Sequence, residues 1–302
     1  MNSIELLRKH VIDDLMLIPT MQKVWPFWRD AIFKDIEVDQ ITGPDIIKIG
    51  NRLSEIFKLT GEEGRGQGSV SAGGAAWECL ICWYLNLCTI GSNTVVIKAS
   101  KKNTPESIRD AITVKYGSVP SNSESDILAI TLPEDNGRDL YDCNSPTRAN
   151  LVSQLNDVII ENFSETCLTV IQCKTNWNDN AQIPMLWDLI YSSTGFNTNA
   201  SVGQNGFTTK GLKLFSYAFV TVPTTAADNM KQENVHVLRV AKLSGGNYWG
   251  LPTKPNVASN VFDMVHKNFP RTFAGGPTNW NSDIAVSIKQ LVATNDYFQI
   301  SS

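Results

Sequence analysis

The sequence predicts an α/β fold: a mixed central sheet flanked by helices, with a helical N-terminal addition and a loop-rich C-terminal one. Three observations lead there. Between residues 75 and 223, short and nearly continuous apolar runs alternate with helix-period segments, the pattern of strands covered on both faces. Residues 1–59 carry their apolar residues at helical spacing. After residue 244 the chain turns to stretches such as GGNYWGLPTKP and FAGGPTNWN, whose glycine, proline and asparagine favour loops.

The elements follow in chain order. IELLRKHVIDDLMLI and GPDIIKIGNRLSEIFKL are amphipathic helices, the second with Pro44 near its start, where a missing N–H costs little. GEEGRGQGSVSAGG, 61–74, reads as a glycine-rich linker or flap; it lacks the GK[ST] ending of a phosphate loop. AAWECLICWYLNLC, 75–88, is apolar almost all round and is expected to be a buried helix. NTVVIKA, 93–99, is a strand, PESIRDAITVKYG a short helix and SDILAITL, 125–132, a second strand. PTRANLVSQLNDVIIENF is a helix, TCLTVIQCK, 166–174, a third strand, and AQIPMLWDLIYSS, 181–193, a helix with Pro184 in its first turn. TGFNTNASVGQNGFTTKG, 194–211, is a long polar loop of the kind that often carries function. LKLFSYAFVTVP, 212–223, and VHVLRVAKL, 235–243, are strands, and SDIAVSIKQLVA a last helix. The expected organisation is a helical region 1–60, a core 61–225 and an extension 226–302 packed on it, with no internal repeat.

Composition narrows the function. The chain has 302 residues, 42% of them hydrophobic, enough for a sizeable core. No run approaches the roughly 18 consecutive apolar residues of a membrane span. The N-terminal stretch interleaves acids and bases with its apolar residues, so a cytoplasmic location is expected. Cys79 and Cys82 form a CxxC on the predicted buried helix, but no second CxxC or histidine pair follows, so core packing is the expected role. The three histidines lie far apart, which argues against histidine-based metal or triad chemistry. The formal net charge of −4 counts mildly against a nucleic-acid binder, although affinity depends on a local basic stripe and not on the total.

Three polar groups stand where burial is costly. Side chains alternate along a strand, so Gln172 and Lys174 share a face at the end of TCLTVIQCK, while Cys173 joins Ile171 on the other. Asp126 opens the otherwise apolar SDILAITL. If these strands are antiparallel neighbours, Asp126 stands beside Gln172 and Lys174. Glu78 lies on the helical stripe of Ile81, Cys82 and Leu85, where a carboxylate needs a cation or a partner. Magnesium suits such a set: it takes hard oxygen ligands from one or two carboxylates, water and substrate phosphate. Asp126 would be the charged ligand, the Gln172 amide oxygen and the Cys173 carbonyl neutral ones. Lys174 would hold the attacking water and screen the phosphate. Each residue also has a plainer reading. Lys174 could be a strand-end lysine reaching solvent, Asp126 a turn cap, and Glu78 a structural carboxylate paired to a neighbour.

Asp126, then Gln172-Cys173-Lys174, with Glu78 on the preceding helix, resembles the PD-(D/E)xK nuclease superfamily. More narrowly it is similar to type II restriction endonucleases in which glutamine replaces the last acid, giving QxK. The resemblance covers about half the chain and implies an αβββαβ core. It assigns Asp126 to the metal, Lys174 to catalysis, Gln172 to the second acidic position and Glu78 to the helix glutamate near the metal. Ser125 departs from the pattern, which has proline before the aspartate, and the predicted helix 146–163 is an insertion between Asp126 and Gln172. The implied cofactor is Mg2+, with Mn2+ as a substitute. The implied partner is double-stranded DNA, and the implied assembly is a homodimer.

For DNA, expected phosphate clamps are Arg65, Lys98, Lys101, Lys102, Lys210 and Lys213. Expected base-reading residues are Asn197, Asn199, Gln204 and Asn205, since Asn and Gln can pair bidentately with adenine. Asn176 and Asn178 follow the lysine and are expected to meet the backbone. Two other functions compete with site-specific cutting: a structure-specific or repair nuclease of the same fold, and a non-enzymatic binding or assembly protein.

Overall fold

The structure, a computed structural model, describes residues 3–59, 70–122, 125–133, 147–174, 200–221, 248–249, 284–290 and 296–299. Three helices lead: α1 (Ser3–Met16), α2 (Pro19–Phe33) and α3 (Gly43–Leu59). Each buries one stripe. In α3 it is Ile46, Ile49, Leu53, Ile56 and Phe57, at steps of three and four residues. Thr42 starts α3 by donating both its main-chain N–H and its hydroxyl to Asp45 Oδ2, at 2.9 and 2.6 Å, which satisfies groups left open at a helix start.

Helix α4 (Val70–Cys88) is the central one. It is buried almost throughout from Ala76 to Cys88. It begins before residue 75, so the last residues of the expected glycine-rich linker are helical. Gly73 and Gly74 weaken a helix by propensity, but α4 packs against α2 and α3, and tertiary burial outweighs that. Residues 61–69, Arg65 among them, lie outside the described residues.

Next come β1 (Thr94–Lys98), α5 (Glu106–Ile112), β2 (Thr113–Tyr116), β3 (Val119–Asn122), β4 (Ile127–Thr131), α6 (Arg148–Glu161) and β5 (Cys167–Lys174). The chain continues with β6 (Ala200–Val202), β7 (Leu214–Thr221) and β8 (Tyr248–Trp249). A mixed five-stranded sheet runs β1-β4-β5-β7-β8. β1, β4 and β5 are antiparallel neighbours, while β7 is parallel to β5 and β8 to β7. A parallel neighbour requires a crossover, and the expected helix 181–193 falls within the β5–β7 connection, outside the described residues. Helix α4 covers one face at β1: the Cys82 thiol and the Asn86 amide both donate to the Val96 carbonyl, at 3.6 and 2.7 Å.

The second sheet was not expected. The stretch read as one helix over 105–117 ends at Ile112, and the β-branched pair Thr113-Val114 opens β2. Gly117, at φ +60°, sits first in a two-residue turn, a position that favours glycine. β3, β2 and β6 form a three-stranded antiparallel sheet, so the predicted loop 194–211 contains a strand. Tyr248-Trp249, expected as loop, forms β8. The expected strand 235–243 lies outside the described residues. Residues 284–290 are helical, as predicted.

One hydrophobic core joins these parts, from Ile4 of α1 through the large sheet to Ile284, Tyr297 and Phe298. Trp83 of α4 meets Trp25 and Phe33 edge-on at 4.9 and 6.4 Å between centroids. Within the core lies a closed polar network. Arg8, fully buried, binds both oxygens of Glu5 at 3.0 and 3.1 Å, and donates to the Thr89 hydroxyl at 2.7 Å and the Thr94 carbonyl at 2.9 Å. Glu5 also accepts the Gly91 N–H at 2.8 Å and the Tyr297 hydroxyl at 2.7 Å. A buried charge pair is tolerated only with such full hydrogen bonding.

Candidate active site

Antiparallel pairing of β4 with β5 sets the site. Ile127 stands opposite Ile171, so the register carries Asp126 to a position opposite Gln172. The Ala99 N–H donates to the Asp126 carbonyl at 2.9 Å and extends the β1–β4 ladder by that residue. The ends of β1 and β5 therefore meet the start of β4 at one edge. The Asp126 carboxylate bends toward β5. Its Oδ2 accepts the Gln172 amide Nε2 and the Cys173 main-chain N–H, both at 2.7 Å. Gln172 is only 1% exposed, and its Oε1 accepts the Tyr217 hydroxyl of β7 at 3.4 Å.

The Asp126 carboxylate ties β4 to β5, and it is also a half-buried anion at a strand edge. Gln172 presents its NH2 to that anion. An amide turned over by half a turn keeps its shape while exchanging donor and acceptor. The Tyr217 hydroxyl can donate or accept, so it suits either orientation. The residues therefore fit a hard divalent cation through Asp126, with Gln172 oxygen as a neutral ligand. Among the described residues no cluster of three or more His, Cys, Asp or Glu side chains is arranged to hold a metal.

Glu78 of α4 forms an ion pair with Lys98, the last residue of β1, with the two side chains 22% and 24% exposed. Burial pulls the Lys98 ammonium down, but the hydrogen bond and charge of Glu78 raise it more, so it is held charged above its ordinary value. Cys173 points toward this pair. Burial, then the Asp126 and Glu78 carboxylates, push its thiol well up, against the opposing pull of Lys98. One thiol thus lies within electrostatic reach of all three charges. Cys79 is pushed up to about 11 by burial, with Lys98 opposing and Glu78 adding. Cys82 is pushed up by burial, with smaller effects of Cys79 and Lys98. These cysteines are thiols at neutral pH, which suits packing and not nucleophilic attack.

Lys174 closes β5 opposite Thr221; its side chain lies outside the described atoms. Lys101 and Lys102 are exposed in the turn after β1, beyond the same strand end as Lys98. Lys210 is exposed, and Lys213 is ion-paired to Glu165. The Gln204 and Asn205 amides donate to the two oxygens of Asp110, at 2.7 and 2.8 Å, and Asp110 is buried at the end of α5. Their NH2 groups are engaged here, and reading adenine would require releasing that carboxylate. Asn176, Asn178, Asn197 and Asn199 lie outside the described residues.

Lys98 was expected only as a phosphate clamp, yet it reaches back to the α4 glutamate. The signal was present: TVVIK ends an apolar strand on a lysine as VIQCK does. Searches against protein-family models and against curated proteins find no match for this chain.

Proposed function

We propose that this chain is a magnesium-dependent endonuclease of the PD-(D/E)xK restriction type, cutting double-stranded DNA at a specific sequence. The observation that carries the reading is Asp126 directly across from Gln172, joined to it at 2.7 Å. Helix α4 ahead of β1, and the antiparallel β1–β4–β5 set with β7 parallel to β5, support the αβββαβ likeness.

Phosphodiester hydrolysis needs an activated water and relief of negative charge at the phosphorus. Magnesium, when bound, lowers the pKa of water and offsets that charge. Asp126 supplies the formal charge that draws the cation, and Gln172 a neutral oxygen. In an extended strand the N–H and C=O of one residue leave on the same edge. The Cys173 carbonyl therefore faces the side of Asp126, where its N–H already points. Lys174, two residues beyond Gln172, donates to the incoming water and screens the phosphate. Lys101 and Lys102 flank the site as phosphate clamps. A two-fold symmetric target would match a homodimer.

The test is incubation with plasmid and long linear DNA, in magnesium or in chelator. Discrete magnesium-dependent fragments, lost in Asp126→Asn and Lys174→Met, are the expected result. Cuts confined to junctions or lesions would support the structure-specific alternative. No cutting in any divalent metal would leave a binding protein.

A further inference from the structure

Asp126, Gln172 and Tyr217 share one face of the large sheet. Ile127 pairs with Ile171, which sets Asp126 across from Gln172, and Val170, two residues before Gln172, pairs with Tyr217 of β7. Residues paired across a sheet, or two apart in a strand, lie on the same face. Lys98 pairs with Ile127 and so belongs to the opposite face, as does its bond to Glu78. The row is therefore a carboxylate, an amide and a hydroxyl, joined at 2.7 and 3.4 Å. Gln172 and Tyr217 are only 1% and 5% exposed, so the amide depends on its two neighbours and not on water. A carboxylate only accepts, which turns the Gln172 NH2 to Asp126 and its oxygen to Tyr217. A cation held by Asp126 reverses that demand: it takes oxygen and repels the NH2. Once the amide turns over, its NH2 arrives at Tyr217. A buried N–H without an acceptor is tolerated less than a carbonyl without a donor. The tyrosine hydroxyl can accept it, whereas a bare ring offers only a weak contact.

We propose that Tyr217 is a positioning residue for the cation: its hydroxyl donates to the Gln172 oxygen in the resting site and accepts the Gln172 NH2 when that oxygen turns to the metal. This rests on the nuclease reading above. Its consequence is that cation affinity depends on a group the cation does not touch. The dependence also belongs to glutamine at position 172. With glutamate there, both ends of the side chain accept, nothing has to turn, and Tyr217 donates with or without the cation.

The test is calorimetric titration of Mn2+ alone into the DNA-free protein. The variants are Tyr217→Phe, Gln172→Glu, Tyr217→Phe/Gln172→Glu and Asp126→Asn. Tyr217→Phe should weaken Mn2+ binding about fivefold or more, the low end for a stranded buried donor. In the Gln172→Glu background the same change should cost less than about twofold. A hydroxyl that only supports the fold would give equal losses in both backgrounds. A second readout uses the wild-type chain and needs no variant to fold. The Gln172 side-chain amide protons, followed by NMR, should gain a nuclear Overhauser contact to the Tyr217 ring when Mg2+ is added. Unchanged affinity in Tyr217→Phe, equal losses in both backgrounds, or an amide that keeps its direction with Mg2+ bound overturns the inference. So does a DNA-free protein that takes up no Mn2+. The nuclease reading is judged separately: it falls if Asp126→Asn still cuts plasmid DNA.

Discussion

Replacing Asp126 separates its role in the fold from its role in chemistry. Asp126→Ala removes the acceptor of two N–H groups, from Gln172 and Cys173. A stranded buried donor costs about 1–3 kcal/mol, so the outer limits are about 2–6 kcal/mol. Asp126 is only half-buried, so water can reach part of the vacated space, and the expected loss is about 2–3 kcal/mol. For a chain of this size that lowers the melting temperature by roughly 3–5 °C. Asp126→Asn keeps an oxygen for the same donors and should cost less than about 1 kcal/mol. Urea unfolding followed by tryptophan fluorescence reads both values, and the plasmid assay reads cutting. The expected pattern is a stable Asp126→Asn protein that cuts nothing and a weakened Asp126→Ala protein that also cuts nothing. An Asp126→Ala protein within about 0.5 kcal/mol of wild type would refute the hydrogen-bond argument. Cutting by Asp126→Asn would refute the metal role.

Three further outcomes are expected. Arg8→Met leaves Glu5 charged and buried without its partner, and urea unfolding should show a loss of about 3–5 kcal/mol. Gln204→Ala strips a donor from buried Asp110, so it should destabilise by about 1.5–3 kcal/mol and speed amide exchange across 200–207. Stability should fall as pH rises above about 9. Buried Cys79 and Cys88 titrate near 11 and 12 in the native chain against 9.0 when free, so the unfolded chain loses these protons first. The thiol contribution is whole below pH 9 and declines at up to about 1.4 kcal/mol per pH unit for each thiol. Lys98, also raised, keeps its contribution until the pH passes the unfolded value near 10.5. Urea midpoints taken between about pH 8 and 10.5 check the slope.

The elements around the site could be read from pattern because each is long and apolar. TVIQC, read as a buried strand, pairs on both sides; antiparallel direction brings the start of β4 beside the end of β5, and the register that sets Ile127 opposite Ile171 puts Asp126 across from Gln172. What escaped was decided by distant packing or by small residues. The start of α4 at Val70 depends on its neighbours α2 and α3, which a glycine-rich string does not announce. The β2–β3 hairpin hid behind Ser107, Ile108 and Ala111, whose helical spacing ran straight into Thr113-Val114. The ion pair of Glu78 with Lys98 joins residues twenty apart, and side-chain reach across a helix–sheet interface leaves no periodic trace. Gln204 and Asn205, chosen as base readers for their amides, spend those amides on Asp110, a carboxylate nearly a hundred residues upstream.

The hydroxyl that completes the Glu5 network comes from a residue 292 positions later. At a ribosomal pace of about 5–20 residues per second, roughly 15–60 s separate the emergence of Glu5 from the synthesis of Tyr297. Through that interval α1 carries a carboxylate still missing one of its donors, and Trp83 lacks the carbonyl of Tyr297 that its indole reaches at 3.0 Å. The innermost polar knot is thus tied late, and a chain stalled in translation would stay loosely closed at its heart.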